Sequence, residues 1–298
     1  MDALINRVTK KTQLLLTVFF VFCSCISNAQ TVQRIFTFEK GDNYQKRTFL
    51  NSTFIIQRGA KALTVTSSSS VYKTYKVTDV SDKAYTFKVS IPKMDVVITA
   101  AGASMHFDSE KDIDTTSKIE TALKYMVGKH SDVLVDRTGI ILSDDDFSDK
   151  LANDTLLSFA GIQPESFIKG SQFNVIPNFV VKRGIKKGYK WKDTATFSRQ
   201  KMTTRFWIDQ VTPTNTIIKF KSFVTGDLVN SNSTGTYIVD NKSGILVQRL
   251  IQSISTGYQI LNGVVYSTTR RISLSEDCAK KDEKTSLPPD DSFMVVTK

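Results

Sequence analysis

The chain has 298 residues, of which 40% are hydrophobic, and it carries 40 lysines and arginines against 29 acidic residues, a formal net charge of +11. This length allows one large β domain or two smaller ones with a sizeable core. Three cysteines and two histidines exclude a disulfide-dense scaffold and a zinc site built from these ligands.

The N-terminal segment is organised like a secretion signal. Three basic residues come first, the apolar run 14–26 follows, and 27–29 supplies the small residues of a cleavage site. The apolar run is shorter than the roughly 20 residues that span a bilayer. We therefore expect residues 1–29 to be removed, which leaves no transmembrane helix. We expect export to the periplasm, the outer membrane or the cell exterior.

Two cysteines, Cys23 and Cys25, lie inside this signal, so Cys278 is the one cysteine of the exported chain. Lipidation of Cys25 is the alternative to cleavage after Ala29. The residues before Cys25 fit a lipoprotein motif poorly, and the better cleavage site lies downstream. Cys278 is interpreted as an incidental thiol in a polar tail, because no base that would activate it lies nearby in sequence.

Strand patterns dominate the first part of the exported chain. β-branched and aromatic residues fill the stretches 48–57, 62–78 and 85–99. Apolar and polar residues alternate strictly over 85–91, which predicts one buried and one solvated face. The short connection at 81–83 predicts a hairpin, and therefore antiparallel strands.

The acidic middle of the chain has a helical pattern instead. Ser117 and Glu120 have the spacing of a capping box, and apolar residues follow at helical spacing as far as Met126. Gly128 is the expected end of this helix. A second, weaker helical pattern covers 147–159.

Strand patterns return after Pro177. They cover 179–182, 189–211, 216–224, 235–239, 245–255 and 258–274. From Glu276 onwards, charged residues and two prolines predict a loose polar tail over 276–298.

The two strand-rich regions resemble each other, which predicts an internal repeat. A lysine–glycine turn opens each copy, and an apolar spacing at 75–80 recurs at 206–211. Each copy also contains an aspartate–glycine turn, in which glycine supplies a positive φ. The residues assigned to these structural turns are Gly41, Asp136, Gly139, Gly188, Asp240 and Gly244.

Together these patterns predict a mainly β protein. Two related halves of long antiparallel strands, at about 34–145 and 178–275, form a curved sheet or half-barrel in one domain spanning 30–275. One or two helices are inserted in the first half.

Five short motifs lie at intervals along the chain. They are Asn28-Ala29-Gln30, Lys40-Gly41-Asp42-x-Tyr44, Asp108-Ser109, Lys187-Gly188-x-x-Trp191 and Val239-Asp240-x-x-x-Gly244. In these motifs the chain resembles an uncharacterised family of exported β-rich proteins, a domain of unknown function typical of Bacteroidota-type Gram-negative bacteria. The resemblance implies a cell-envelope location and transfers no catalytic residue.

Few side chains point to chemistry. His106 and Asp108 are predicted to share one face of a β-strand, where a His–Asp pair could orient a base. No nucleophile lies near them in sequence, and such a pair is more typical of a strand surface. An acidic run lacks the ligand spacing and the central glycine of an EF-hand loop, which leaves it only a weak metal candidate. It comprises Asp144, Asp145, Asp146 and Asp149. We assign no catalytic residue, metal site or cofactor.

The leading functional hypothesis is therefore a non-enzymatic envelope protein that binds a hydrophobic ligand, a lipid or another envelope protein. A curved sheet can enclose an apolar cavity for such a ligand. One alternative is a carboxylate-dependent hydrolase, which needs a cleft with two facing carboxylates. Another is a scaffold or adhesion protein that pairs through exposed edge strands. Lysines alternate with apolar residues as on a solvated sheet face, so we expect no nucleic-acid partner.

Overall fold

A computed structural model describes residues 37–143, 167–175, 186–197, 200–261 and 263–281. These residues form eleven β-strands and one α-helix. In chain order the elements are β1 (Asn43–Arg58), β2 (Lys61–Val80), β3 (Ala84–Ala100), β4 (Ala103–Asp108), α1 (Lys118–Met126), β5 (His130–Asp136), β6 (Lys190–Phe197), β7 (Gln200–Val211), β8 (Asn215–Gly226), β9 (Val229–Asp240), β10 (Leu246–Leu261) and β11 (Val264–Lys280).

All eleven strands belong to one antiparallel sheet. Its order is β4-β3-β2-β1-β11-β10-β9-β8-β7-β6, and β5 pairs with β3. The sheet is curved like a half-barrel and does not close. At its centre the first strand pairs with the last, because β1 lies between β2 and β11. The predicted fold class is therefore confirmed, with α1 inserted in the first half of the chain.

The strands run between two opposite ends of the sheet. The β2–β3, β7–β8 and β9–β10 connections lie at one end, which we call the core end. The β1–β2, β3–β4, β6–β7, β8–β9 and β10–β11 connections lie at the other, which we call the hairpin end. This arrangement follows directly from antiparallel pairing of strands that are neighbours in the chain.

Three clusters of buried side chains cover one face of the sheet, the packed face; the opposite face is called the open face. The largest cluster lies at the core end around Tyr75 and Phe87. Its aromatic rings meet edge to face, with ring centroids 5.1 Å apart for Phe38 and Phe87, and 5.6 Å apart for Tyr75 and Phe173. Such contacts add to the stabilisation that burial provides.

The second and third clusters lie on either side of the first. In one, Leu123 and Met126 of α1 pack against apolar side chains of β3 and β4. In the other, Phe206 of β7 and Phe220 of β8 pack with their strand neighbours. Among the described residues, the core of the second half of the sheet therefore consists of side chains from strands.

The start of α1 is only partly the predicted capping box. Ser117 Oγ accepts a hydrogen bond from the Glu120 amide at 3.3 Å, as an N-cap does. The Glu120 carboxylate instead accepts from the Asp114 amide at 2.9 Å. At nine residues α1 is too short to cross a bilayer, and no helix within the described ranges has the length and hydropathy to do so. The second helical pattern, 147–159, and the strand pattern at 179–182 lie outside the described residues.

Two predicted strand boundaries were wrong. The stretch 189–211 contains two strands, β6 and β7, rather than one. Gly257, where the pattern suggested a break, lies inside β10, and the chain reverses at Gly263 with a φ of +75°. A Cβ at Gly257 would lie 2.1 Å from the carbonyl oxygen of Leu228, so this glycine permits a close backbone approach rather than a turn.

The predicted start of the polar tail was also too early. β11 continues through Glu276 and ends at Lys280. Glu276 and Cys278 are buried, with 5% of each residue exposed. Because Glu276 is charged, the sequence suggested that it is exposed to solvent. Its carboxylate instead has cationic partners on two neighbouring strands.

The two lysine–glycine turns have the same hydrogen bonds. The Gly41 amide donates to the Val77 carbonyl, and the Gly188 amide donates to the Ile208 carbonyl, both at 2.9 Å. Their φ angles are +96° and +83°, in a region that only glycine adopts without strain.

The two aspartate–glycine turns also correspond in the hydrogen bonds they form. The Gly139 amide donates to the Asp136 carbonyl at 3.0 Å, and the Gly244 amide donates to the Asp240 carbonyl at 2.9 Å. In both turns the aspartate carboxylate accepts further bonds from the turn itself. Each glycine has a positive φ. The internal repeat remains a prediction. The matching hydrogen bonds in these two pairs of turns are consistent with it.

Candidate functional site

An open groove crosses the four central strands, β9, β10, β11 and β1, on the open face. Two adjoining pockets form it, with volumes of about 420 Å³ and about 470 Å³. Both pockets are lined by Asn51, Gln252 and Ser273. Volumes of this order are typical of sites for small molecules, which range over roughly 300–1,000 Å³.

The register of the strands arranges the groove floor in three rows. The middle row is polar, and it consists of Asn51, Ser273, Gln252 and Thr234 on successive strands. The row towards the core end consists of Phe49, Ser275, Leu250 and Thr236. The row towards the hairpin end consists of Thr53, Arg271, Ile254 and Asn232. Because side chains alternate between faces, every second residue of each strand contributes to this floor.

Large apolar side chains stand exposed on either side of the polar row. Leu250 is 42% exposed and Ile254 is 40% exposed, while Phe49 is partly buried. Amide and hydroxyl groups between them offer both hydrogen-bond donors and acceptors. The groove is thus chemically suited to an amphipathic molecule.

A polar junction lies next to the groove, towards the core end, where β10, β11 and β1 meet. Each strand supplies two consecutive residues, so that one side chain points to each face. On the packed face the junction consists of Lys46, Glu276 and Arg249. On the open face it consists of Arg47, Asp277 and Gln248.

Glu276 is the centre of the packed-face part of the junction. One carboxylate oxygen, Oε2, lies 2.6 Å from Arg249 Nη2, and the other, Oε1, lies 3.9 Å from Lys46 Nζ. Thr48 Oγ1 donates to Oε1 at 3.2 Å. Burial alone would raise the pKa of Glu276, but the charges of Lys46 and Arg249 outweigh it and hold the pKa below its usual value.

The open-face part of the junction contacts the groove. Asp277 Oδ2 lies 4.0 Å from Arg47 Nη2, and Gln248 Nε2 donates to Asp277 Oδ1 at 3.0 Å. Arg47 is 2% exposed, and its guanidinium lies 4.8 Å from the ring centroid of Phe49. Phe49 also lines the groove, so the junction fixes one wall of it.

A separate pocket of about 490 Å³ at the core end contains the carboxylates that a hydrolase would need, including those of Asp42 and Asp240. Asp42 accepts from the Tyr44 hydroxyl at 3.0 Å and pairs with Lys280 Nζ at 2.7 Å. Burial opposes ionisation of Asp42, but Lys280 and these hydrogen bonds lower its pKa. Asp240 Oδ2 accepts from the Ser243 amide at 2.7 Å. Both carboxylates serve as acceptors within the structure, and Asp42 is held ionised, unlike a general acid.

The other residues singled out in the sequence do not form a site. His106 Nε2 lies 2.8 Å from Asp95 Oδ2 on the neighbouring strand, whereas Asp108 pairs with Lys111. Both members of the His106–Asp95 pair are substantially exposed. Within the described ranges, no three His, Cys, Asp or Glu side chains are grouped so as to hold a metal ion. The acidic run Asp144, Asp145, Asp146 and Asp149 lies outside these ranges.

The groove was missed in the sequence because it depends on register between strands far apart in the chain. One signal was available within β10. Leu250, Ile254, Tyr258 and Ile260 all fall on its even-numbered face. A strand with large apolar side chains on the face opposite its core indicates a second covered or binding surface.

Residues 82–246 match a family of unknown function, DUF6263. The chain belongs to this family. The match covers more than half of the chain and lies within the β-rich region, so the resemblance to an uncharacterised domain is confirmed.

No curated protein sequence is significantly similar to this chain. Among solved structures, lipovitellin, described for its lipid–protein interactions, has a TM-score of 0.46 at 10% identity, with 84% of this chain covered. This chain spans only 27% of that lipovitellin chain. An outer-membrane channel from Pseudomonas putida F1 has a TM-score of 0.27 at 10% identity, covering 82% of this chain and 98% of the channel. Neither similarity identifies a ligand or an activity for this chain.

Proposed function

We propose that this protein is a non-enzymatic component of the cell envelope that binds a lipid or another hydrophobic ligand in the groove over β9, β10, β11 and β1. One observation carries the proposal: Leu250 and Ile254 stand exposed on the two sides of a polar row that lines two adjoining pockets. Location in the envelope is part of the proposal, and the secretion-signal pattern of residues 1–29 supports it.

The arrangement of the floor suits an amphipathic ligand. An apolar chain laid across the sheet would cover Leu250 and Ile254, and each covered aliphatic side chain contributes about 1 kcal/mol. The amides of Asn51 and Gln252 lie between them and would bind a polar group of the same molecule. A ligand with both parts therefore uses more of the groove than a purely apolar one.

A hydrolase is less well supported. The pocket with several carboxylates has Asp42 paired with Lys280 and Asp240 bonded within its own turn. Retaining and inverting glycosidases instead need one carboxyl group with a raised pKa facing a second carboxylate. The pKa of Asp42 is shifted in the opposite direction.

The first test is native mass spectrometry of the protein recovered from the envelope fraction of expressing cells, with lipid extraction of the same sample. A bound lipid of defined stoichiometry is the expected result. Binding is then quantified by the fluorescence of a fatty-acid probe that brightens in an apolar site. The combined change Leu250→Gln and Ile254→Gln should weaken binding about thirtyfold, since it removes two apolar contacts of about 1 kcal/mol each.

The matched control is Leu134→Gln with Leu142→Gln, because both leucines are 37% exposed and lie outside the groove. The control should bind the probe like the unmodified protein. A protein mass without bound lipid, together with no increase in probe fluorescence, would rule out the groove as the ligand site. So would binding of the probe by the groove variant that equals binding by the unmodified protein.

A further inference from the structure

The β10–β11 hairpin extends beyond both of its neighbouring strands. On one side β10 pairs with β9 only as far as Gly257, and on the other β11 pairs with β1 only from Ser267 onwards. Segments 258–261 and 263–266 therefore form a two-stranded ribbon without a paired strand on either edge in the described part of the chain. The Tyr258 amide also donates to the Leu228 carbonyl at 2.8 Å.

This ribbon is uncharged and rich in apolar residues. Its sequence is Tyr-Gln-Ile-Leu-Asn-Gly-Val-Val-Tyr. Tyr258, Ile260 and Val265 are 57%, 59% and 56% exposed, and Ile260 lies directly opposite Val265. Leu228, at the adjoining turn, is 55% exposed. A two-stranded hairpin is marginally stable in water on its own, and a contiguous apolar tip of this kind indicates a partner that covers it.

We propose that this ribbon inserts, through Tyr258, Ile260 and Val265, into the interfacial region of a lipid bilayer with an anionic surface. The order of side chains along the ribbon suits this partner. Tyr258 and Tyr266 lie at the base, and Ile260, Val264 and Val265 lie towards the tip. Tyrosine favours the level of the headgroups, while aliphatic side chains favour the acyl chains beyond it.

The length of the ribbon fits an interfacial depth. About four residues separate Tyr258 from the turn, and at roughly 3.3 Å per residue the tip extends about 13 Å beyond the tyrosine. Elements bound at the bilayer interface bury their apolar parts by about 5–10 Å. The ribbon is long enough to reach this depth and too short to span the bilayer.

The charges around the ribbon favour an anionic surface. Arg58 and Lys61 face each other at the β1–β2 turn and are exposed. Lys201, near the β6–β7 turn, is also exposed, and Asp227 is the acidic residue at the β8–β9 turn. Each basic residue close to an anionic membrane contributes about 1 kcal/mol of attraction. The hairpin end thus combines an uncharged apolar tip with an excess of basic over acidic residues around it.

This inference does not rest on the ligand groove, although the two features share strands. Ile254 of the groove and Tyr258 of the ribbon lie on the same face of β10, four residues apart, which is about 13 Å along a strand. Docking through the ribbon would bring the mouth of the groove close to the membrane surface.

The test is flotation of the protein with lipid vesicles, after mass measurement has verified the removal of residues 1–29. Vesicles of phosphatidylethanolamine and phosphatidylglycerol are compared with vesicles of phosphatidylcholine alone. The unmodified protein should float with the anionic vesicles. The change Ile260→Thr with Val265→Thr, which keeps strand propensity, should reduce the bound fraction about tenfold. The change Arg58→Gln with Lys61→Gln should weaken binding to the anionic vesicles only.

The matched control is Leu134→Thr with Leu142→Thr, which removes two exposed leucines away from the ribbon and should float normally. Urea unfolding checks that each variant is folded. Absence of flotation by the unmodified protein, or unchanged flotation of the ribbon variant, overturns the inference. If the unmodified protein self-associates without vesicles and the ribbon variant does not, the ribbon pairs with another copy of the protein. That result would also overturn the inference. The groove variant should float while losing the fatty-acid probe, so failure of one proposal is distinguishable from failure of the other.

Discussion

Arg249 Nη2 lies 2.6 Å from Glu276 Oε2, and this ion pair ties β10 to β11 at the centre of the sheet. The same carboxylate lies 3.9 Å from Lys46 Nζ on β1, so one side chain connects the last strand to the strands on both of its sides. Glu276 and Lys46 are almost completely buried. A carboxylate in such a place is tolerated because its charge is compensated by neighbouring cations.

Replacing this carboxylate should destabilise the protein strongly. In Glu276→Gln, the buried Lys46 and the partly buried Arg249 would lose the negative charge of Glu276, and the loss of one partner from a buried ion pair costs about 3 kcal/mol. We expect the free energy of unfolding, measured by urea denaturation, to fall by about this amount.

The control for this change is Glu110→Gln. Glu110 also lies 2.6 Å from its partner, Lys93, but the two side chains are 64% and 43% exposed. An exposed pair contributes less than about 1 kcal/mol, so this variant should unfold at nearly the same urea concentration as the unmodified protein. Equal effects of the two changes would show that burial of Glu276 does not determine its contribution.

The stabilisation by Glu276 should also depend on pH. Its pKa in the folded protein lies below the ordinary value of 4.5, because Lys46 and Arg249 outweigh the effect of burial. On acidification the unfolded chain therefore binds this proton before the folded protein does, and the free energy of unfolding rises with pH through that range. The contribution is complete above pH 4.5 and is lost as the pH falls through the folded-state pKa.

The measurement is the difference in free energy of unfolding between the unmodified protein and Glu276→Gln at a series of pH values. We expect this difference to be constant near neutral pH and to shrink below pH 4.5. Other carboxylates titrate in both proteins and cancel in the comparison. A difference that persists unchanged to about pH 3 would contradict the assigned direction of the shift.

Features of the fold that depend on local pattern were predictable from the sequence. The alternation over 85–91 predicted β3, and Ser117 predicted the N-cap of α1. Gly139 and Gly244 have the positive φ that their aspartate–glycine turns implied. Each of these features is decided by a few consecutive residues.

What the sequence did not reveal depends on pairing across the sheet. Glu276 was assigned to a tail because a charged residue is usually solvated, whereas its partners Lys46 and Arg249 are distant in the chain. Gly257 looked like a strand break because glycine is unusual inside a strand. Its close approach to the Leu228 backbone is visible only once β9 and β10 are paired. The groove floor has the same origin, since its rows join β1 to β11 and β10.

Gly235 should be intolerant of a side chain. A Cβ at this position would lie 2.3 Å from the carbonyl oxygen of Leu250 and 2.5 Å from the ring of Phe220. Backbone cannot move aside cheaply, so Gly235→Ala should lower the free energy of unfolding by about 2 kcal/mol. Because Leu250 also lines the groove, the same change should weaken binding of the fatty-acid probe.

Gly226→Ala is the control for this effect. Its Cβ would lie 2.7 Å from Cγ of Gln200, a side chain that can change rotamer, and 3.3 Å from the Val229 carbonyl oxygen, a much longer backbone contact than at Gly235. We expect a loss below about 1 kcal/mol in urea denaturation and no change in probe binding. A larger loss for Gly226→Ala than for Gly235→Ala would contradict the role of the close backbone contact.

Cys278 should be protected from thiol reagents in the folded protein. It lies on β11 in the core-end cluster with 5% of its surface exposed, and the other two cysteines lie within the predicted signal. Labelling by a fluorescent maleimide should therefore be much slower in buffer than in urea, because reaction requires opening of the structure. A variant with an added exposed cysteine, Leu134→Cys, should label rapidly and give the reference rate. Labelling of Cys278 at that reference rate would place it in a solvated tail and contradict the extension of β11 to Lys280.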